Sequence, residues 1–259
     1  MIGAIFGDVV GSIYEWDNIK TKDFELCQPK MFFTDDTVMT LAVAKALMEY
    51  VAGNGKLQDL TVKNMQELGR RYPDAGYGAR FEGWIYSGNP QPYNSWGNGA
   101  AMRVSACGWI GKNLDEVKKL SYEVTVVTHD HSEGLKGAEA VAVAIFMARM
   151  GNTKDEIKEE MQKYYRLDKC LEEIRPTYEF NESCQDTVPQ AIQAFLEAKD
   201  FEDAIRNAIS LGGDSDTLAA ITGSIAEAYY GVKQEYLEFV KSKLDDRLRN
   251  ICEEFAGRI

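Results

Sequence analysis

The sequence predicts an all-α protein, a single-domain orthogonal helical bundle spanning 1–259. Three observations predict it. Apolar residues recur at helical spacing from end to end, no run alternates with the period of a strand, and neither a fixed-period repeat nor a strand-borne G-x-G-x-x-G is present. The chain is 45% hydrophobic with only 6 prolines, enough for a substantial core and incompatible with disorder.

Residues 37–52 place Val38, Leu41, Ala42, Val43, Ala46, Leu47 and Tyr50 on a wide apolar arc, with Lys45 and Glu49 four apart on the polar side. A helix over 57–71 ends at Arg70-Arg71 and is stopped by Pro73. Residues 73–98 form a glycine- and proline-rich belt with at most one helix, near 79–87. Helices follow at 99–111 and 114–125. The run 133–150 is almost wholly apolar and predicts a central helix buried all round. Further helices are expected at 153–164, 168–174, 184–198 and 201–210. Residues 216–230 predict a second central helix. Tyr236, Val240, Leu244, Leu248, Ile251 and Phe255 predict one outer amphipathic helix. The pattern amounts to about ten to thirteen helices.

The charge of −12, from 41 acids and 29 bases, argues against nucleic-acid binding, which needs a basic face. It leaves anionic small molecules open, because bound cations invert the local field. Cys27, Cys107, Cys170, Cys184 and Cys252 are scattered without a C-x-x-C pair, so reduced and mostly buried thiols are expected. The stretch Met1–Asp8 lacks a basic segment and is too short for a signal peptide. No uncharged run approaches the ~20 residues that span a bilayer. A cytoplasmic location without membrane partners is the expectation.

Two acidic clusters carry the chemistry. Phe33-Thr34-Asp35-Asp36-Thr37 and Gly212-Gly213-Asp214-Ser215-Asp216-Thr217 each join two close acids to a threonine, and each borders an apolar helix. Either one alone reads as a helix start, with Thr34 or Asp214 as N-cap and acids in the first turn. Together they point to metal, because buried carboxylates need a cation or a dense hydrogen-bond set. Adjacent Asp35 and Asp36 can serve different ions, Asp214 and Asp216 can bracket the pair, and threonine hydroxyls complete an all-oxygen set suited to Mg²⁺ or Mn²⁺. Two such ions would make a central binuclear hydrolytic cleft. His129 and His131 are the only histidines. That is too few for a metal-dependent phosphohydrolase of the His-Asp type, and leaves either one site residue with a surface neighbour or a pair of helix-end groups. Trp96, within the glycine belt, plugs the loop to the core or offers a stacking platform for a base.

The motifs, in order along nearly the whole chain, resemble those of the ADP-ribosylglycohydrolase family. They are Gly7–Glu15, Phe33–Thr37, Gly76-Tyr77-Gly78-Ala79, Ser95–Arg103, Thr128-His129 and Gly212–Thr217. The resemblance implies an all-α fold holding two Mg²⁺ or Mn²⁺ ions on Thr34, Asp35, Asp36, Asp214, Asp216 and Thr217. It implies cleavage between C1 of the distal ribose of ADP-ribose and an acceptor, either a modified protein side chain or a small molecule. Gly76, Tyr77, Gly78 and Ser95 would line the diphosphate and Trp96 would stack near the adenine. His129 and the motif residues Gly97, Asn98, Gly99 and Met102 would lie on the substrate side. Glu15, matching a gating glutamate beside the metals, and Asp35 are the candidate catalytic carboxylates. Departure of the acceptor builds oxocarbenium character at C1, which such carboxylates stabilise. Arginine-directed members resemble one another in an acid just before the glycine matching Gly76. Here Ala75 stands there and Asp74 is displaced, which leans towards O-linked ADP-ribose. The alternatives are an inactive ADP-ribose-binding or structural relative of the same fold, and a terpene-synthase-like enzyme. The latter is opposed by the absence of Asp-Asp-x-x-Asp.

Overall fold

The computed structural model describes residues 1–258. Among them are fourteen α-helices, one 3₁₀ turn (Asn98–Ala100) and no strand. They are α1 (Ile2–Gly11), α2 (Asp35–Val51), α3 (Leu57–Arg71), α4 (Ala79–Tyr86), α5 (Ser105–Ile110), α6 (Leu114–Thr125), α7 (Ser132–Arg149), α8 (Lys154–Met161), α9 (Leu171–Ile174), α10 (Cys184–Leu196), α11 (Phe201–Ile209), α12 (Ser215–Tyr230), α13 (Gln234–Lys243) and α14 (Asp246–Ala256). The all-α expectation holds. Helices α7 and α12 are the central pair: α7 is buried continuously from Ala140 to Ala148, and α12 from Ser215 to Ala226. Helix α12 packs against α1, α2, α5, α7, α10 and α11.

Three local expectations are corrected. Residues Ile2–Gly11, given no element from sequence, form α1. Its glycines lower intrinsic helix propensity, but Gly3, Gly7 and Gly11 fall four apart on one face, and that face meets α12 at backbone distance. A β-carbon on Gly7 would lie 2.0 Å from the Ala219 carbonyl oxygen, and one on Gly3 would lie 2.1 Å from that of Gly223. Helix 99–111 is instead the 3₁₀ turn followed by α5, with Asn98 at the start of the turn donating its N–H to Glu182 O at 2.7 Å and its Nδ2 to Asp214 at 2.6 Å. The single C-terminal helix is two. Leu244 is extended, and Asp245 caps α14 by accepting from Leu248 N–H at 3.0 Å. All six apolar positions named there are nonetheless buried, so the stripe survives the break.

The five cysteines are free, and Cys107, Cys184 and Cys252 are buried. No helix among the described residues is long and apolar enough to cross a membrane.

Candidate metal centre and substrate cavity

Helices α2 and α12 both begin at one cavity, so their partial positive N-terminal ends face the acids they carry. The cavity, of about 330 Å³, is lined by Glu15, Asp35, Asp36, Asp214 and Asp216, with Thr217, Asn98 and Met102 beside them. The segments near 35 and near 215 therefore converge, as the sequence required. Thr217 Oγ1 donates to Asp36 Oδ2 at 3.0 Å across that junction. Carboxylate oxygens of Glu15, Asp214 and Asp216 lie within 4.8 Å of one another.

The acids are held by neighbours that sequence reasoning did not assign. Asp8, fully buried on α1, accepts from the Thr34 N–H at 3.0 Å and hydroxyl at 2.7 Å, from Thr37 N–H at 3.0 Å and from the Thr37 hydroxyl. It thereby fixes the start of α2. Thr34 does act as N-cap, accepting from Asp36 N–H at 3.3 Å. Asp214 occupies the N-cap position of α12, but its side chain does not cap; it accepts from Asn98 Nδ2 at 2.6 Å. Gly212 and Gly213 both take positive φ to make the turn into α12. Asn18 clamps that turn, accepting from Gly213 N–H at 2.6 Å while donating to Gly213 O at 2.9 Å and to Glu15 O at 2.8 Å. One asparagine thus ties the Glu15 loop to the Asp214 loop. The Gly7–Glu15 motif contained Asp8, and its position four residues before Ser12 on the glycine helix was the available signal.

Electrostatics mark the cluster as short of cations. Burial pushes Asp35, Asp36 and Asp216 well above the usual carboxylate range, and neighbouring acids push in the same direction. Asp8 is raised to about 6, chiefly by burial, against the lowering effect of its threonine hydrogen bonds. Glu15 is raised to about 7 by burial, then by Asp214, Asp8 and Glu182. Asp36 Oδ1 is buried with no protein partner. An all-oxygen set with an orphaned buried carboxylate oxygen fits a hard divalent cation.

On the opposite wall His129 is buried, and its ionisation is pushed well below the usual histidine range, by burial first and then by Arg103. Arg103 donates to Thr128 Oγ1 at 2.6 Å, and the Thr128 hydroxyl contacts His129 Nδ1 at 2.7 Å. Arg103 Nη2 also lies 3.4 Å from His129 Nδ1, and because arginine only donates, Nδ1 is the accepting nitrogen. The network assigns the neutral Nε2–H tautomer, whose Nε2 faces Gly97 and Gly99. Arg103 itself is fully buried and brought down to about 10, mainly by burial. His131, outside the cavity, caps α7 by accepting from Glu133 N–H at 3.1 Å. The two histidines therefore divide into one cavity residue and one helix-end group.

Of the expected substrate residues, Gly76, Gly78, Ser95, Gly97, Asn98, Gly99, Met102 and His129 line the cavity. Three expected site residues lie outside its lining. Thr34 turns to Asp8. Tyr77 turns inward to pack on Phe81, with ring centroids 5.7 Å apart. Trp96 is 47% exposed and meets His131 edge-on, on a neighbouring shelf with Phe180 and Glu182, and so does not plug the core. Arg80, Phe81, Tyr93, Arg103 and Glu182 line the cavity without having been singled out. They sit in loop and helix-start segments whose approach is set by tertiary folding.

A model of the ADP-ribosylglycohydrolase family matches residues 1–259. The chain belongs to that family. It is 27% identical over 311 residues to the mouse ADP-ribosylhydrolase ARH3, covering 90% of this chain and 83% of the mouse protein. It is 25% identical over 292 residues to the ADP-ribosylarginine hydrolase Tri1 of Pseudomonas putida (strain GB-1), covering 100% of this chain and 77% of that protein. A solved structure described as an ADP-ribosylglycohydrolase-related protein complex shares the fold, with a TM-score of 0.69 and 23% identity over 96% of this chain and 94% of that one. Hydrolases of this family thus number both ARH3 and an arginine-directed enzyme among this chain's relatives.

Proposed function

We propose that the whole chain works as one domain that hydrolyses the bond between the distal ribose of ADP-ribose and its acceptor, a protein side chain or a small molecule. The observation that carries this reading is the convergence of six carboxylates, Glu182 among them, on one cavity, with Asp36 Oδ1 buried and unpartnered. Thr34, Asp35, Asp36, Asp214, Asp216 and Thr217 are the proposed ligands of two Mg²⁺ or Mn²⁺ ions, with Thr34 reaching them only by leaving Asp8. When bound, such ions supply Lewis-acid charge that holds the ribose diol and eases ionisation of water near neutral pH.

The chain's own groups do the remainder. Gly78 caps α4 without a side chain, and Gly78, Ala79 and Arg80 line the cavity, so free N–H groups at a helix start meet the diphosphate. The Arg80 guanidinium adds a cation where the protein is otherwise acidic. His129 Nε2–H donates to a substrate oxygen. Asp36, Asp214 and Asp216 are buried, whereas Glu15 and Asp35 keep partial exposure. They are the two acids a ribose can reach, placed to stabilise positive charge growing at C1 and to take a proton from attacking water.

The test is release of ADP-ribose from arginine-, serine- and O-acetyl-linked substrates, with and without divalent metal. Asp35→Ala and Asp214→Ala are expected to lower turnover by at least ~10³-fold while helical circular dichroism stays intact. Wild-type-like turnover in either variant rejects the assignment. Calorimetry separates an inactive relative, which need show no divalent-ion site.

A further inference from the structure

Beside the acidic end of the cavity lies an aromatic platform that the hydrolysis chemistry leaves unused. Trp16, directly after Glu15, is 80% exposed, and Phe180 is 39% exposed. Their rings stack, with centroids 5.1 Å apart and planes 22° apart. Two large aromatics held face to face in water form an apolar surface with electron-rich faces, the kind that cations occupy. The shelf carrying Phe180 also holds Glu182 and Asp186, and Glu182 lines the main cavity as well, so shelf and cavity are continuous.

The charge around this platform is mostly negative. Glu15, Asp17, Glu179, Glu182 and Asp186 surround it or adjoin its two rings in sequence. Lys20, the nearby cation, is committed to the carbonyls of Tyr178 and Leu211. The cavity's own cations are elsewhere: Arg80 lies over Tyr93, and Arg103 donates to Thr128. Glu15 lines the cavity and Trp16 follows it directly, so the platform begins where the cavity's acids end.

Resting on the proposed hydrolase reading, we infer that the Trp16–Phe180 platform docks a basic peptide segment flanking the modified residue of a protein substrate. Lysine or arginine side chains on either side of the acceptor stack on the two rings and face Glu179, Glu182 and Asp186. A protein substrate in a basic segment is therefore bound better than the same linkage in an acidic one.

The experiment uses serine-linked ADP-ribosyl peptides flanked by lysines or by glutamates, with O-acetyl-ADP-ribose as a substrate lacking any peptide. Binding is read by anisotropy of labelled peptides and turnover by ADP-ribose release. Wild type is expected to favour lysine flanks by about tenfold in Kd and KM. Trp16→Ala and Phe180→Ala are each expected to bring that ratio within twofold. Trp16 directly follows Glu15 in the chain, so Phe180→Ala is the variant expected to keep O-acetyl-ADP-ribose turnover unchanged. A wild type indifferent to flanks, or a preference surviving both substitutions, overturns the inference. Flank-dependent binding with no turnover of any substrate counts against the hydrolase reading and leaves the platform standing.

Discussion

The seam between α1 and α12 and the belt at 73–98 are both rich in glycine, yet they use it in opposite ways. In the seam, Gly3 and Gly7 have no room for a single carbon, and the two helix backbones touch. In the belt, Gly78, Gly83 and Gly88 have nothing within 4 Å of where a side chain would start. The seam is buried and rigid, and it fixes Asp8, Asp214 and Asp216. The belt is largely exposed, and it brings Gly78 and Arg80 to the rim and Gly76 against Asp35. The difference teaches that the acidic end of the cavity is placed by packing and the other end by loop geometry, so damage to each should register differently.

The largest effect is expected from Gly7→Leu, which drives a side chain into the Ala219 backbone. Overpacking at helix backbones costs at least ~3 kcal/mol, and chemical denaturation should show that loss or outright failure to fold. Gly83→Leu, in the belt, should stay within ~0.5 kcal/mol. Stability equally sensitive at both positions would erase the contrast.

Asp8→Ala comes next. It strands four buried donors on Thr34 and Thr37, at a cost of roughly 3 kcal/mol, and should also weaken divalent-ion binding in calorimetry. A variant with unchanged stability would show that α2 is positioned without Asp8.

A smaller effect concerns pH. The folded protein holds Asp8 at about 6 and Glu15 at about 7, both above their ordinary values. Between those ordinary values and pH 6–7 the folded state binds more protons than the unfolded one, so metal-free stability falls as pH rises through that window. The melting temperature should drop by several degrees from pH 5 to pH 7.5, and Mg²⁺ or Mn²⁺ should restore it at the upper end. A metal-free melting temperature that rises across this window would break the account.

The smallest effect is expected from Gly76→Ala. Gly76 has φ near +101°, which a side chain strains by ~1 kcal/mol. The residue stands at the rim beside Asp35, whose N–H donates to Ala75 O at 2.8 Å. KM for ADP-ribosyl substrates should rise severalfold while the melting temperature barely moves. A shift in stability as large as that of Asp8→Ala would show the belt to be part of the packed framework.

What was legible in the sequence follows the same division. Periodicity gave α2, α3, α6, α7 and α12 because their burial is decided by side chains spaced three and four apart. It missed α1, whose packing is decided by the absence of side chains, and it merged α13 with α14, because the apolar stripe runs on through the extended Leu244. The acidic residues of the cavity were readable as two local motifs. Asp8 and Arg103 stood inside quoted motifs and Asn18 and Glu182 outside them, but for none of the four does the local sequence announce its partner, near residues 34, 128, 213 and 98 respectively. Trp96 and Tyr77 were placed by motif alone, and the direction of a loop side chain is set by what the loop packs against.

The α1–α12 seam also constrains how the molecule is made. Ser215 Oγ donates to the Tyr14 carbonyl across 201 residues of sequence, and the glycine face of α1 has no other helix to complete it. As the chain leaves the ribosome, α1 must wait, uncovered, until α12, some two hundred residues further on, has been synthesised. Pairings this remote in sequence are slow to close. The acidic cavity consequently matures only after α12 has emerged, and a nascent or truncated chain ending before α12 lacks Asp216 and Thr217 from its lining.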